Sequence, residues 1–271
     1  MWLPWEYGLA LAAAFFVGSR ASHGRPIAPF LNEATIIAVL YSLWQFAGQI
    51  SLLGIEDALS RGAALWELER ALGLPNELTL QEWMIPHSLT TQSANVYYAG
   101  AHVPVMGIFL IWLFARHRDA YPAWRNALAL LTGACLALQL VPVAPPRLTE
   151  ETGMIDTGLA YGQSVYGALG RGIAGQLQAM PSIHVAWAAL IGWAVWVVSP
   201  SKWRWVGPAH FAITFVVVAV TGNHFWLDGI VAMAILVPAY WFGVQIARRL
   251  SPSHPIDHQQ SSRLAPLESA V

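Results

Sequence analysis

Charge is what this sequence has least of. Asp, Glu, Lys and Arg make up 11% of its 271 residues, where a soluble domain carries roughly 25%. So few charged side chains cannot cover a water-soluble body of this size. Cysteine is scarcer still: Cys135 stands alone in an apolar run, which excludes an intrachain disulfide and a Cys-based zinc site. The formal net charge is −1, so nothing points to nucleic acid as a partner. No internal repeat is apparent. The opening Met1-Trp-Leu-Pro-Trp-Glu lacks a basic n-region and is not expected to act as a cleaved signal peptide.

Apolar residues fill the space that charge leaves. They account for 56% of the chain, with 14 Trp, and the mean hydropathy is +0.48. The expected class is an all-α integral membrane protein. A spanning helix needs about 20 mostly apolar residues, roughly 17 at the least. Stretches of that kind lie at 3–19, 33–54, 99–115, 125–143, 183–199, 205–222 and 228–247. The first is short and carries Pro4 and Glu6, while Pro104 and Pro238 are places where two others can kink. Backbone groups in lipid must be paired within the segment, so these are helices rather than strands. Residues 1–250 read as one polytopic membrane catalytic domain. Residues 251–271, rich in Ser, Pro, His and Gln, cannot bury a core and read as a disordered cytoplasmic tail.

Alternating spans divide the loops into two sets. One holds 20–32, 116–124, 200–204 and the exit after the last span. It carries Arg20, Arg25, Arg116, Arg118, Lys202, Arg204, Arg248 and Arg249, with Asp119 its only acid. The other holds the N-terminus, 55–98, 144–182 and 223–227. There Arg61, Arg70, Arg147 and Arg171 face a larger number of acids, from Glu6 and Glu56 through Asp156. The positive-inside bias places the first set in the cytoplasm and the second outside, in a plasma (inner) membrane. Within 55–98, Leu59, Ala63, Trp66 and Arg70 recur at helical spacing, which predicts an amphipathic helix lying in the outer interface. A lid over a lipid-substrate entrance is the sharper alternative.

Polar groups are costly in a membrane protein, and three clusters of them fall at span ends on the outer side. They are Pro142-Val-Ala-Pro-Pro-Arg147, Met180-Pro-Ser-Ile-His184 and Thr221-Gly-Asn-His224-Phe-Trp-Leu-Asp228. Taken singly, each has a plain explanation. Arg147 follows two helix-stopping prolines and could anchor at the headgroup boundary. His184 lies in the first turn after Pro181 and Ser182, a good helix start with an available Ser cap. His224 and Asp228 are four apart and share a helix face, as a hydrogen-bonded pair would.

Together they suit phosphoryl transfer without a metal. Histidine can attack phosphorus covalently, and a carboxylate on its other nitrogen fixes the tautomer. A second histidine can protonate the leaving oxygen. Arginine offers a bidentate fork to phosphate oxygens, and the amides at a helix start add anion stabilisation.

Pro181-Ser-Ile-His184 resembles the central motif of the type 2 phosphatidic acid phosphatase superfamily, and His224-x-x-x-Asp228 resembles the end of its third. Ala144-Pro-Pro-Arg147-Leu, Ala179-Met-Pro-Ser-Ile-His-Val-Ala-Trp187 and Gly222-Asn-His-Phe-Trp-Leu-Asp228 are similar to the branch that includes inositol phosphorylceramide synthases and many bacterial relatives. The likeness covers roughly residues 30–247. It implies a six-helix transmembrane core, with the 3–19 helix and the interfacial segment as additions. It also implies that His224 is the nucleophile that becomes phosphohistidine, that Asp228 orients it, and that His184 is the general acid. Arg147 and Ser182 would bind phosphate, and neither metal nor cofactor is implied.

The departures are equally specific. The family's first motif has Lys, six residues, then Arg-Pro, and here Leu140 and Leu148 stand at the Lys and Pro positions. Its third motif has Arg six residues before the His, and here that residue is Val218. Arg171 and the Asn223 amide are the candidates to replace the two absent cations.

The expected function is a lipid phosphatase or phosphotransferase with its site facing outside. Its substrate would be a lipid phosphate or phosphodiester, with water or a polyol or sugar as acceptor. The alternative is a transporter that uses the same groups as an ion relay, although transporter sites usually sit near the midplane. A vanadate-dependent peroxidase on this scaffold is disfavoured by the absent cations and the membrane core.

Overall fold

The computed structural model describes residues 4–47, 55–164 and 176–250. Among them the chain is helical, with no β-strand. A hairpin of α1 (Trp5–Ala21) and α2 (Ala28–Ala47) comes first. Three helices follow where one interfacial helix was expected: α3 (Ile55–Ala71), α4 (Glu77–Met84) and α5 (Ser88–Gly100). Pro75 and Asn76 interrupt α3 and α4, and the Asn76 side chain caps α4 by accepting the Leu78 N–H at 2.9 Å. Then come α6 (His102–Arg116), α7 (Tyr121–Gln139), the short α8 (Thr157–Ala160), α9 (Ile183–Val198), α10 (Val206–Val220) and α11 (Trp226–Leu250).

Several boundaries differ from the hydropathy reading. The second helix starts at Ala28 rather than 33, because Pro29 sits in a first turn, where its missing N–H costs nothing. Residues 48–54, the end of that expected span, lie outside the described residues, as do Leu3, Arg171 and the 251–271 tail. The expected 99–115 span is broken: α5 and α6 meet at a 54° bend. The bend falls at Ala101, so Pro104 occupies the first turn of α6 rather than its interior.

Among the described residues, two helical stretches, Lys202–Val220 and Trp226–Leu250, are long and apolar enough to cross a membrane, and the α5–α6 pair passes the same test if its two helices form one broken span. Helix α9 is apolar but shorter. Helices α2 and α7 are joined near their starts, where Arg125 Nη1 donates to both oxygens of Glu33, at 2.7 and 2.6 Å.

The main core lies among α6, α7, α9 and α11, where Leu113, Ala127, Leu131, Leu190 and Ala232 are fully buried. Small residues set the spacing. A Cβ on Gly243 of α11 would stand 2.7 Å from Ala127 N and 2.8 Å from Ala123 O of α7, so these two backbones touch as small-residue seams in membranes do. This packing places the start of α9 beside the start of α11, where the Ser182 N–H donates to Asp228 O at 3.1 Å.

Candidate active site

Three chain segments are stitched together at the start of α9. Val143 and Gln178 form an isolated parallel bridge, with Val143 N–H donating to Leu177 O at 2.7 Å and Ala179 N–H to Val143 O at 3.1 Å. The Arg147 N–H donates to Gly222 O at 2.9 Å. The Pro142–Arg147 segment is thus bonded to both histidine-bearing segments. The turn between α10 and α11 needs Gly222, which has φ +70° and whose Cβ would lie 3.0 Å from the Arg147 Cβ. The Asn223 and His224 N–H groups then share the Val218 carbonyl, each at 3.1 Å.

That turn delivers His224 into a buried frame. Its Nδ1 is 2.8 Å from Ala179 O and 3.2 Å from Asp228 Oδ2. Both partners are acceptors, which assigns the proton to Nδ1 and leaves the lone pair on Nε2. His224 Nε2 in turn lies 3.3 Å from His184 Nδ1. Asp228 is fully buried, and its Oδ2 also accepts the Phe225 N–H at 2.9 Å. One carboxylate oxygen therefore fixes both the turn and the imidazole.

The other expected residues are placed less simply. Arg147 is not a headgroup anchor: its side chain is 1% exposed. Its Nε donates to Asp156 Oδ2 at 3.0 Å and its Nη2 to Gln176 Oε1 at 3.4 Å. Ser182 is the N-cap of α9, its Oγ accepting the Val185 N–H at 3.3 Å. Pro181 precedes the cap rather than sitting inside the helix, and Gln139 Nε2 donates to its carbonyl at 2.7 Å. The Asn223 amide turns back on Thr221, donating to its Oγ1 at 2.9 Å. Of the two positions that lack the family's cations, Val218 is buried in an apolar cluster with Tyr98 and Val185, and Leu140 caps the end of α7.

The structure adds residues that no motif announced. The His102 ring lies 4.4 Å from that of His184, edge to face, and the Tyr98 ring lies 4.6 Å from it. His102 Nδ1 faces Tyr98 O at 3.2 Å, and its buried Nε2 meets no hydrogen-bond partner. Arg61 of α3 donates from Nε to Pro142 O at 2.7 Å, and its Nη2 is buried with no hydrogen-bond partner. It brings a cation to the segment where the family's Lys is absent. A small polar cleft lined by Asn95, Tyr98, Asp156, Gln163, Ser164 and Asn223 adjoins the histidine pair.

A family model described as the PAP2 superfamily matches residues 63–242. The chain belongs to the PAP2 superfamily. No curated protein and no solved structure matches it. PAP2 membership places it among phosphatases and related phosphotransfer enzymes, and its apolar helices agree with a membrane protein. All three PAP2-like clusters read from the sequence lie inside the matched region, as do α3, α4 and α5 from residue 63 onward. Helices α1 and α2 precede it.

Proposed function

We propose that the chain is a membrane-embedded lipid phosphatase or headgroup phosphotransferase that works through a phosphohistidine on His224. The observation that carries this is the polarity of the His224 ring. Its Nδ1–H is held by Ala179 and Asp228, so the Nε2 lone pair faces His184 across 3.3 Å. In the first step Nε2 attacks phosphorus, the P–O bond to the leaving group breaks, and His184 gives its proton to the departing oxygen. In the second, water or an acceptor hydroxyl gives its proton to His184 and attacks phosphorus, breaking the P–N bond. Asp228 stabilises the charged ring throughout. Arg147 and the amides at the start of α9 bind the phosphoryl oxygens, with Ser182 and Asn223 shaping that end of the site.

A lipid substrate is supported by an apolar cavity of about 600 Å³ between α1, α2 and α6, lined by Leu11, Phe15, Ile37, Tyr41 and Val103. An adjoining one of about 210 Å³ reaches Trp187, one turn beyond His184. Incubation of purified protein with labelled lipid phosphates and phosphodiesters, with and without polyols, tests the reading. Inorganic phosphate or a headgroup-exchanged lipid is expected. Intact substrate under every condition, with uptake of solute into sealed vesicles, would establish the transporter reading instead.

We read the architecture as a six-helix core of α2, α6, α7, α9, α10 and α11, with α1 as an addition and the site outside the membrane face that bears Arg116 and Lys202. In a Cys135→Ala background, Ala160→Cys should react with an impermeant thiol reagent in intact cells, and Asp119→Cys should not. The reverse pattern overturns the orientation.

A further inference from the structure

Helices α3 and α4, with the turn between them, hold both ends of the turn that carries His224. On the α11 side, Glu69 Oε1 accepts the Leu227 N–H at 2.7 Å and Glu77 Oε1 accepts the Trp226 N–H at 3.3 Å. The Pro75 carbonyl takes the Trp226 indole N–H at 2.8 Å. On the α10 side, Gln81 Nε2 donates to Val220 O at 3.1 Å, while its Oε1 accepts the Ile155 N–H at 2.8 Å. A surface amphipathic helix would keep such acids in water; here Glu69, Glu77 and Gln81 are fully buried.

Two adjacent buried carboxyls cannot both ionise cheaply. Burial first, and then a hydrogen bond with Glu77, push the Glu69 carboxyl up to about 9. Arg70 Nη2 donates to Glu77 Oε2 at 3.1 Å. Glu69 Oε2 is buried and lies 3.6 Å from the same Arg70 Nη2. The charged and titratable groups around the pair are Arg70 on α3, Glu77 on α4, and Asp228 on α11, with His224 beyond it.

We propose that Glu69, acting with Glu77, is a positioning residue for the phosphoryl-transfer site: through the N–H groups of Leu227 and Trp226 it fixes the first turn of α11, and with it the Asp228 carboxylate against His224 Nδ1. This rests on His224 being the nucleophile. The amides that Glu69 and Glu77 hold belong to the two residues immediately before Asp228, so a shift there moves the carboxylate directly. When Glu69 ionises, a further negative charge appears beside Glu77 and Asp228 and the grip changes. The sign follows from linkage. A carboxyl raised from 4.5 to about 9 by folding favours the folded state fully below the lower value and loses that contribution as pH rises through the upper one.

The test uses the full chain in nanodiscs with a long-chain lipid phosphate as substrate, between pH 6 and 10. Glu69→Ala leaves a buried amide unpaired and should lose roughly 10- to 100-fold in kcat with KM nearly unchanged. Glu69→Gln keeps the acceptor oxygen and cannot ionise. It should recover at least about tenfold over Glu69→Ala and lack the alkaline fall in kcat near pH 9 that the wild type shows. A retained alkaline fall in Glu69→Gln, or a loss in Glu69→Ala confined to KM, overturns the proposal. Should Glu69→Ala not fold, Glu69→Gln decides alone through its pH profile. Should the wild type show no turnover, the phosphoryl-transfer reading fails, but the positioning claim is still decided by ¹⁵N-histidine NMR. The His224 resonance, assigned from a His224→Asn difference spectrum, should move between pH 8 and 10 in wild type and stay fixed in Glu69→Gln. Identical titrations in both overturn it.

Discussion

His224→Ala is expected to end turnover on every lipid phosphate, with kcat falling roughly 10⁴- to 10⁶-fold, as when a covalent nucleophile is removed. The size of the effect comes from the geometry of one ring. Ala179 and Asp228 hold Nδ1, so Nε2 carries the lone pair, and it lies 3.3 Å from His184 Nδ1. Among the described residues His224 is the histidine paired with a buried carboxylate, whereas His102 Nδ1 faces a backbone carbonyl. Rapid quenching of wild type should trap an acid-labile, base-stable phosphate on the protein, the signature of a P–N bond, and His224→Ala should carry none. An adduct that persists in His224→Ala means that the nucleophile is another residue. Asp228→Asn should lie between, down by about 10² to 10⁴, because the amide can accept from Nδ1 but no longer stabilises the charged ring.

His184→Ala should be damaged selectively. A general acid is needed only as far as the leaving group needs a proton. A lipid alkoxide, with a conjugate-acid pKa of about 15, needs one, whereas p-nitrophenolate, at about 7, leaves largely unaided. General acid catalysis contributes roughly 10² to 10⁴ in rate. The variant should therefore lose about that much on an alkyl phosphate and recover most of it on an aryl phosphate. The comparison needs kcat for both substrates on both proteins. Equal losses on the two would remove His184 from the proton-transfer role and leave it as a wall of the site, packed between Tyr98 and His102.

The histidine site was legible because its signals are local. His224 and Asp228 share a helix face by spacing alone, and the Ser182 cap is written beside His184. Counting apolar spans predicted that their segments meet at helix ends, and the structure brings them together at the starts of α9 and α11. The bracing of the site was not legible. Glu69 and Glu77 look like the solvated side of an amphipathic helix, and a one-dimensional periodicity cannot tell a face turned to water from one turned to backbone amides about 150 residues later. The same holds for Tyr98 and His102, which contact His184 from two helices far away in sequence, and for Arg61, whose donor reaches Pro142. Span limits were misjudged where helices start or break on proline-compatible turns, at Ala28 and at Ala101.

By itself, the sequence determined that this is a helical membrane protein and which short segments carry its polar chemistry. Charge is too scarce for a soluble surface, apolar runs are too long for strands, and ionisable groups at span ends are too costly to be incidental. The tertiary structure alone decided which nitrogen of His224 faces His184, how deeply Arg147 is buried, and that α3 and α4 hold the turn before Asp228 through carboxyl-to-amide bonds. The physical reason is range. Propensity, hydropathy and helical spacing act over a few residues, whereas burial and hydrogen-bond partnership are set by which distant segments the packed core brings into contact.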